Sequence, residues 1–282
     1  MSKIREVSRV ILSQVASDGA GVKLRRSIGG SQISDLDPFL LLDNFGTENP
    51  DEYIAGFPWH PHRGFETVTY MIDGQMRHKD SMGSEGILGP GSVQWMTAGH
   101  GIIHSEMPEQ KEGRMSGFQL WVNLPAKDKM CTPRYQNIDP EYVPTVKLDG
   151  VDLRIIAGIV DGPEGLVAGP VTGVATDPVY LDVSLAPGGS YEHAIPEGHT
   201  AFVYVFDGTV AVSGKEVEEN NLAILADGDH VKLSSGKGGR AILVAGRPLG
   251  EPVARYGPFV MNTPAEIEKA VRDFQTGNFL LH

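Results

Sequence analysis

The stretch His60-Pro-His-Arg-Gly-Phe-Glu-Thr-Val-Thr-Tyr-Met-Ile-Asp-Gly74 recurs in related form later in the chain. Its counterpart is Ala194-Ile-Pro-Glu-Gly-His-Thr-Ala-Phe-Val-Tyr-Val-Phe-Asp-Gly208, and the two align without a gap. Each copy has a glycine at the fifth position, a run rich in β-branched and aromatic residues, and a closing Asp-Gly pair typical of turns. A repeated strand-and-turn unit predicts a tandem duplication of one β-domain.

Strand patterns separated by turn residues continue through the rest of the chain. Glycine contributes 35 and proline 19 of the 282 residues, which is more than usual and indicates many turns. Short runs bounded by turn residues favour an all-β sandwich or barrel. The predicted strands lie at 65–72, 92–97, 118–124, 153–157, 179–185, 201–206 and 240–245.

A single helix is predicted near the C-terminus. Thr263 and Glu266 have the spacing of a capping box, Pro264 stands at the first helical position, and Gly277 is a plausible stop. The apolar residues between them share one face, which predicts a helix packed on a sheet. These apolar residues are Ile267, Ala270, Val271 and Phe274.

Charge and cysteine content exclude several classes of protein. The formal net charge of −12 excludes nucleic-acid binding through a broad basic face. Cys131 is the single cysteine, so an intramolecular disulfide and a cysteine-based zinc site are both excluded. Residues 1–14 lack the apolar core of a signal peptide, and no run approaches the roughly 20 apolar residues of a spanning helix. We expect a cytoplasmic protein without a membrane segment.

Two histidine-containing pairs carry the chemistry. His60 and His62 are two residues apart, so on an extended chain both imidazoles project to one face, and the same parity continues through Glu66 into the apolar positions of the strand. His104 and Glu106 repeat this spacing. Three imidazole nitrogens and one carboxylate suit iron, manganese, nickel, cobalt or zinc. Four such ligands on an octahedral ion leave two positions for substrate and O2.

Other interpretations of these residues stay open at this point. Glu66 is a rival carboxylate ligand, and Glu106 is alternatively a surface acid. The second copy has Ala194 and Pro196 in place of the histidine pair, so we expect no such metal there. The remaining histidines are interpreted as packed or surface residues: His78, His100, His193, His199, His230 and His282.

The histidine-rich segments resemble a known family. The stretch 60–66, with Gly74 after it, resembles the first motif of the cupin superfamily, and 91–104 resembles a stretched second motif. More narrowly, the chain resembles the pirin family over nearly its whole length. The segments that carry this resemblance are His60-Pro-His-Arg-Gly-Phe-Glu-Thr-Val-Thr-Tyr70, Thr97-Ala-Gly-His-Gly-Ile-Ile-His-Ser-Glu106, Gly117-Phe-Gln-Leu-Trp-Val-Asn-Leu-Pro125 and Tyr256-Gly-Pro-Phe-Val-Met261.

The resemblance implies a bicupin, with two tandem jelly-roll barrels and a C-terminal helix. It implies a metal-binding barrel at 1–130 and a degenerate barrel without metal at 131–282. One iron per chain, or manganese, nickel, cobalt, zinc or copper, is then expected. The ligands implied by the family are His60, His62, His104 and Glu106, while Glu66 is expected to orient an imidazole.

The same resemblance implies two alternative functions. The first is a quercetin 2,3-dioxygenase, which opens a flavonol ring with O2 and releases carbon monoxide. Glu106 is then the expected general base, and Phe57, Trp59 and Phe65 either wall a pocket for the phenolic substrate or form barrel core. The second is an iron-dependent regulator that binds a transcription factor or a metabolic enzyme. A structural metalloprotein without turnover is a third interpretation.

Overall fold

The structure, a computed structural model, describes residues 2–280 and is built mostly of β-strands. All seven predicted strands are present, and the predicted all-β class is confirmed. The strands are β1 (Val7–Leu12), β2 (Gln14–Asp18), β3 (Val22–Ile28), β4 (Phe39–Thr47), β5 (Phe57–His62), β6 (Phe65–Asp73), β7 (Met76–Asp80), β8 (Glu85–Leu88), β9 (Val93–Thr97), β10 (Ile102–Pro108), β11 (Met115–Asn123), β12 (Arg134–Ile138), β13 (Thr145–Leu148), β14 (Val151–Ala157), β15 (Ile159–Gly162), β16 (Gly165–Ala168), β17 (Val179–Leu185), β18 (Ser190–Ala194), β19 (Thr200–Val212), β20 (Lys215–Glu218), β21 (Asn221–Leu225), β22 (His230–Ser234), β23 (Gly239–Gly246), β24 (Ala254–Tyr256) and β25 (Phe259–Met261).

The predicted helix, α1, spans Pro264–Gln275. The Glu266 amide donates to the Thr263 hydroxyl, and the Thr263 amide donates to the Glu266 carboxylate at 2.8 Å, so the capping box is present. Ala270 is fully buried and packs with Phe259 and Phe279. Within residues 2–280, no helix combines the length and apolar character needed to cross a membrane.

Two compact units make up the chain. The first unit is Val15–Pro140 with the residues from Leu249 onward, and the second unit is Glu141–Pro248 with the residues up to Gln14. This division differs from the predicted boundary between residues 130 and 131. Strand β1 pairs with β21, which places the N-terminal residues in the second unit. The Arg63 guanidinium donates to Asp273 of α1 at 2.7 Å, which ties the C-terminal segment to the first unit.

Two large antiparallel sheets and the small β24-β25 sheet form the first unit. The larger has the order β12-β9-β6-β11-β4-β3-β2, and the smaller has the order β5-β10-β7-β8. The central strand β6 is buried from Phe65 to Met71, including its polar residues Thr67 and Thr69. These polar groups therefore lie inside the unit, where buried polar side chains require hydrogen-bond partners.

The second unit repeats the central arrangement of the first. Its main sheet has the path β1-β21-β19-β23-β17-β14-β13, so β19 lies between β21 and β23 as β6 lies between β9 and β11. The aligned glycines Gly64 and Gly198 both have positive φ, at 86° and 78°. The predicted turn at Asp207-Gly208 is wrong. Strand β19 continues to Val212 after a register shift between Val205 and Asp207, because the chain there bulges instead of reversing.

Candidate metal centre

Strands β5 and β10 of the smaller sheet bring three histidines together. The two strands are antiparallel, with His104 opposite His60 and Ile102 opposite His62. His60 and His62 are alternate residues of β5, so both imidazoles project to one side, as predicted. Their strand then ends, because the chain turns at Gly64.

The turn at Gly64 corrects one prediction. The parity argument placed His60 through Glu66 on a single strand, but β5 and β6 are separate strands in different sheets. Gly64 has φ 86°, and a Cβ at this position would overlap the carbonyl oxygen of Val260. Only glycine fits this turn. Because of the turn, the side-chain alternation along β6 does not determine which way His60 and His62 point.

The geometry of the three imidazoles suits a single ion. One nitrogen from each of His60, His62 and His104 lies within 4.8 Å of the others. Ring centroids are separated by 4.7 Å for His60 and His62, 4.3 Å for His60 and His104, and 4.9 Å for His62 and His104. His62 and His104 are buried, while His60 is half-buried at the cavity.

Burial keeps two of these imidazoles neutral. Desolvation, reinforced by the neighbouring imidazoles, lowers the pKa of His62 and of His104 well below the usual value. Among residues 2–280, nothing hydrogen-bonds to His62 Nδ1 or to His104 Nε2, although both atoms are buried. Neutral imidazoles with a buried nitrogen that has no hydrogen-bond partner fit a divalent transition metal, so these residues suit the expected ion.

Hydrogen bonds on the opposite nitrogens orient the rings. His60 Nδ1 lies 2.8 Å from the carbonyl oxygen of Pro58, to which it donates, so Nε2 is the nitrogen left to bind an ion. His104 Nδ1 lies 3.4 Å from Nδ1 of His78, whose Nε2 lies 3.2 Å from the Tyr135 hydroxyl. Metal-binding histidines usually donate their second N–H to such a partner. His78 is buried, as expected for a packed histidine, but its contact with His104 was not predicted.

Glu106 lies in the same cavity but outside the histidine cluster. It follows His104 by two residues on β10, is buried, and its Oε1 accepts a hydrogen bond from the Thr69 hydroxyl at 2.9 Å. The mutually close donor atoms come from the three histidines. The assignment of Glu106 as fourth ligand and general base therefore stays a prediction.

Glu66 does not reach the imidazoles. Its carboxylate accepts hydrogen bonds from Trp95 Nε1 at 3.0 Å and from the Thr97 hydroxyl at 2.6 Å. Burial raises the pKa of Glu66. In the part of the chain that the structure describes, no hydrogen bond joins Glu66 to a histidine, so the expected role in orienting an imidazole is not seen.

A cavity of about 530 Å³ opens onto His60 and His62. Phe57 and Trp59 line it, as one interpretation expected, whereas Phe65 is core and packs against the His62 and Trp121 rings. Trp121 also lines the cavity. Sequence reasoning missed Trp121, although it lies within a quoted family segment. It also missed five charged or polar lining residues, Asp18, Arg26, Asp43, Gln119 and Arg255.

The other histidines lie outside this cluster. His193 is buried in the second unit with Nδ1 at 3.0 Å from the Tyr191 hydroxyl, and His199 is buried as well. His100 and His230 are half-buried, and His282 lies outside the described residues. Among residues 2–280, no second group of three His, Cys, Asp or Glu donors converges in this way.

Comparisons with known proteins identify the family. The Pirin family model matches residues 21–122, and the Pirin C-terminal cupin domain model matches residues 180–280. A Pseudomonas aeruginosa protein provisionally named a quercetin 2,3-dioxygenase is 51% identical over 281 residues, covering 98% of this chain and 99% of the relative. Human pirin is 42% identical over 282 residues, covering 98% of this chain and 94% of the relative.

A solved structure agrees with these sequence matches. The crystal structure of quercetin 2,3-dioxygenase from Acinetobacter baumannii superposes with a TM-score of 0.90 at 36% identity, covering 99% of both chains. The predicted fold of two cupin domains with a C-terminal helix is thereby confirmed. With these matches across both halves of the sequence, the chain belongs to the pirin family.

Proposed function

We propose that this protein is a metal-dependent dioxygenase of the quercetin 2,3-dioxygenase type, which opens a flavonol ring with O2 and releases carbon monoxide. The observation that carries the proposal is the cluster of His60, His62 and His104 beside an aromatic-lined cavity of about 530 Å³. Cavities of this size hold small aromatic ligands. The names of the Pseudomonas and Acinetobacter relatives support the same activity.

The proposed ligands are His60, His62, His104 and Glu106, with one iron per chain. When bound, a divalent ion of this kind acidifies a coordinated hydroxyl and supplies the redox chemistry that O2 requires. The imidazoles need no deprotonation to bind it, because burial already keeps His62 and His104 neutral.

The remaining steps are assigned to the chain's own side chains. Glu106 accepts the proton of the flavonol hydroxyl at one carboxylate oxygen. The other oxygen, Oε1, accepts the 2.9 Å hydrogen bond from the Thr69 hydroxyl, which orients the carboxylate. Phe57, Trp59 and Trp121 contact the flat rings of the substrate and exclude water from the reacting bond.

The test is a rate measurement. Protein and quercetin are mixed without O2, O2 is admitted, and quercetin loss and carbon monoxide are quantified. We expect turnover of about 10 s⁻¹, the median for enzymes. A chelator and the His62→Ala substitution should each abolish it. Turnover far below one per second on every flavonol, with a stoichiometric protein partner recovered instead, would favour the regulatory alternative.

A further inference from the structure

Arg255 presents to the cavity a guanidinium that forms no ion pair with any of the residues that the structure describes. It lies on β24 of the first unit, and its Nη1 donates to the carbonyl oxygen of Leu40 at 3.0 Å. Within residues 2–280, no carboxylate lies at ion-pair distance from it. Arg26 in the same cavity is different, because it makes hydrogen bonds of 2.8 and 2.6 Å to both oxygens of Asp43. The remaining donors of Arg255 are therefore available to a ligand.

Trp121 fixes this guanidinium close to the histidines. Arg255 Cζ lies 4.7 Å from the centroid of the Trp121 ring, a cation–π distance. The same indole packs against Phe65 at 4.4 Å and against the His62 ring at 5.3 Å. Arg255 thus contacts the Leu40 carbonyl oxygen and the Trp121 indole. The same indole separates it from His62, a proposed metal ligand.

With a divalent ion at the histidines, the charges that face the cavity favour an anionic ligand. Two guanidiniums and three carboxylates line it, which leaves one formal negative charge. A divalent ion at the histidines converts this to one positive charge, and a monoanionic ligand then neutralises the cavity. The charged residues are Asp18, Arg26, Asp43, Glu106 and Arg255.

We propose that Arg255 and Trp121 form a recognition subsite for an anionic oxygen group. The preferred ligand is a planar aromatic molecule that carries a carboxylate or an ionised phenol at the end opposite its metal-facing group. This proposal rests on the proposed function in one respect, since it takes the cavity as the substrate site. A planar guanidinium donates two parallel hydrogen bonds to a carboxylate and a charge-assisted hydrogen bond to a phenolate oxygen, which explains an arginine at this position.

Binding without turnover tests the subsite. Zinc-loaded protein, in which the metal is redox-inert, is titrated calorimetrically with 3-hydroxyflavone, its 4′-carboxylate and its 4′-hydroxy analogue. We expect the carboxylate to bind about three- to tenfold more tightly than the parent, as for a partly exposed charge pair. Arg255→Gln should remove this preference and Arg255→Lys should keep part of it. Arg114→Gln, which changes an exposed arginine outside the cavity, should leave it intact.

The outcomes separate this proposal from the proposed function. Equal binding of parent and carboxylate to the unsubstituted protein, or a preference that survives Arg255→Gln, overturns the subsite. A second ligand pair, 2-naphthoate and 2-naphthamide, does not depend on flavonol recognition. Suppose that flavonols do not bind, but 2-naphthoate binds more tightly than 2-naphthamide and Arg255→Gln removes this difference. The subsite is then supported, and the flavonol substrate of the proposed function is wrong. A preference shared by the 4′-hydroxy analogue above its pKa supports phenolates, and a carboxylate-only preference supports aromatic acids.

Discussion

The contact between His78 and His104 yields a sharp prediction for metal affinity. Replacing His78 with phenylalanine keeps an aromatic ring of similar volume but removes the hydrogen-bond partner of His104 Nδ1. Losing such an outer partner of a metal ligand weakens metal binding by roughly 10–100-fold. The Nδ1–Nδ1 separation of 3.4 Å is at the long end for a hydrogen bond. We therefore expect the lower limit, about tenfold in the dissociation constant, or about 1.4 kcal/mol.

The second unit offers a matched control. His193 is also buried and also contacts a tyrosine hydroxyl, at 3.0 Å from Tyr191, as His78 contacts Tyr135 at 3.2 Å. His78→Phe and His193→Phe thus remove similar buried groups, and both should lower the urea midpoint of unfolding. Metal affinity is measured by competition with a chelator of known affinity. If the two variants bind metal equally well, within about twofold, His78 does not orient His104 and the reasoning fails.

Three further predictions concern the site and its supports. As a proposed ligand, Glu106 should matter most: Glu106→Ala should weaken metal binding by more than about 100-fold, whereas Glu66→Ala should weaken it by about tenfold at most. Chelator competition on both variants checks this. A larger loss of metal affinity in Glu66→Ala than in Glu106→Ala would make Glu66 the ligand. Lys129 Nζ donates to the oxygens of Gly64, Asn123 and Val260 at 2.8–3.1 Å, so Lys129→Met should lower the free energy of unfolding by about 2–4 kcal/mol, and an unchanged urea midpoint would contradict this. Gly64→Ala should yield protein that folds poorly or binds no metal, since its Cβ overlaps Val260, and a metal-replete, stable variant would show that the turn can relax.

Local patterns in the sequence predicted most of the secondary structure. Alternation and turn residues located the strands, and the Thr263 capping box located the helix, because these signals arise from neighbours in the chain. The same locality explains the errors. The segment around Gly64 was predicted as one strand but forms two, and the predicted turn at Asp207-Gly208 is a bulge within a strand. Both features are set by strand partners that lie far away in the sequence.

In the candidate site, too, local sequence patterns predicted some residues, whereas residues brought in by long-range contacts were missed. The two-residue spacing placed His60 and His62 on one side of a strand, and the pairing of β5 with β10 brings His104 opposite His60. Neither Arg255 nor His78 carries a spacing signal, since their roles arise from long-range contacts with Trp121 and His104. Residues that complete a cavity from distant segments are visible only once those segments are packed.

Metal analysis of the dialysed protein tests the central claim most directly. The histidine cluster in the first unit has no counterpart among the described residues of the second. Protein purified without added metal and dialysed exhaustively should retain about one equivalent of transition metal per chain. The His104→Ala variant, checked for folding by its urea midpoint, should retain close to none, because it loses a ligand. Two equivalents in the unsubstituted protein, or full retention by a folded His104→Ala variant, would contradict the account.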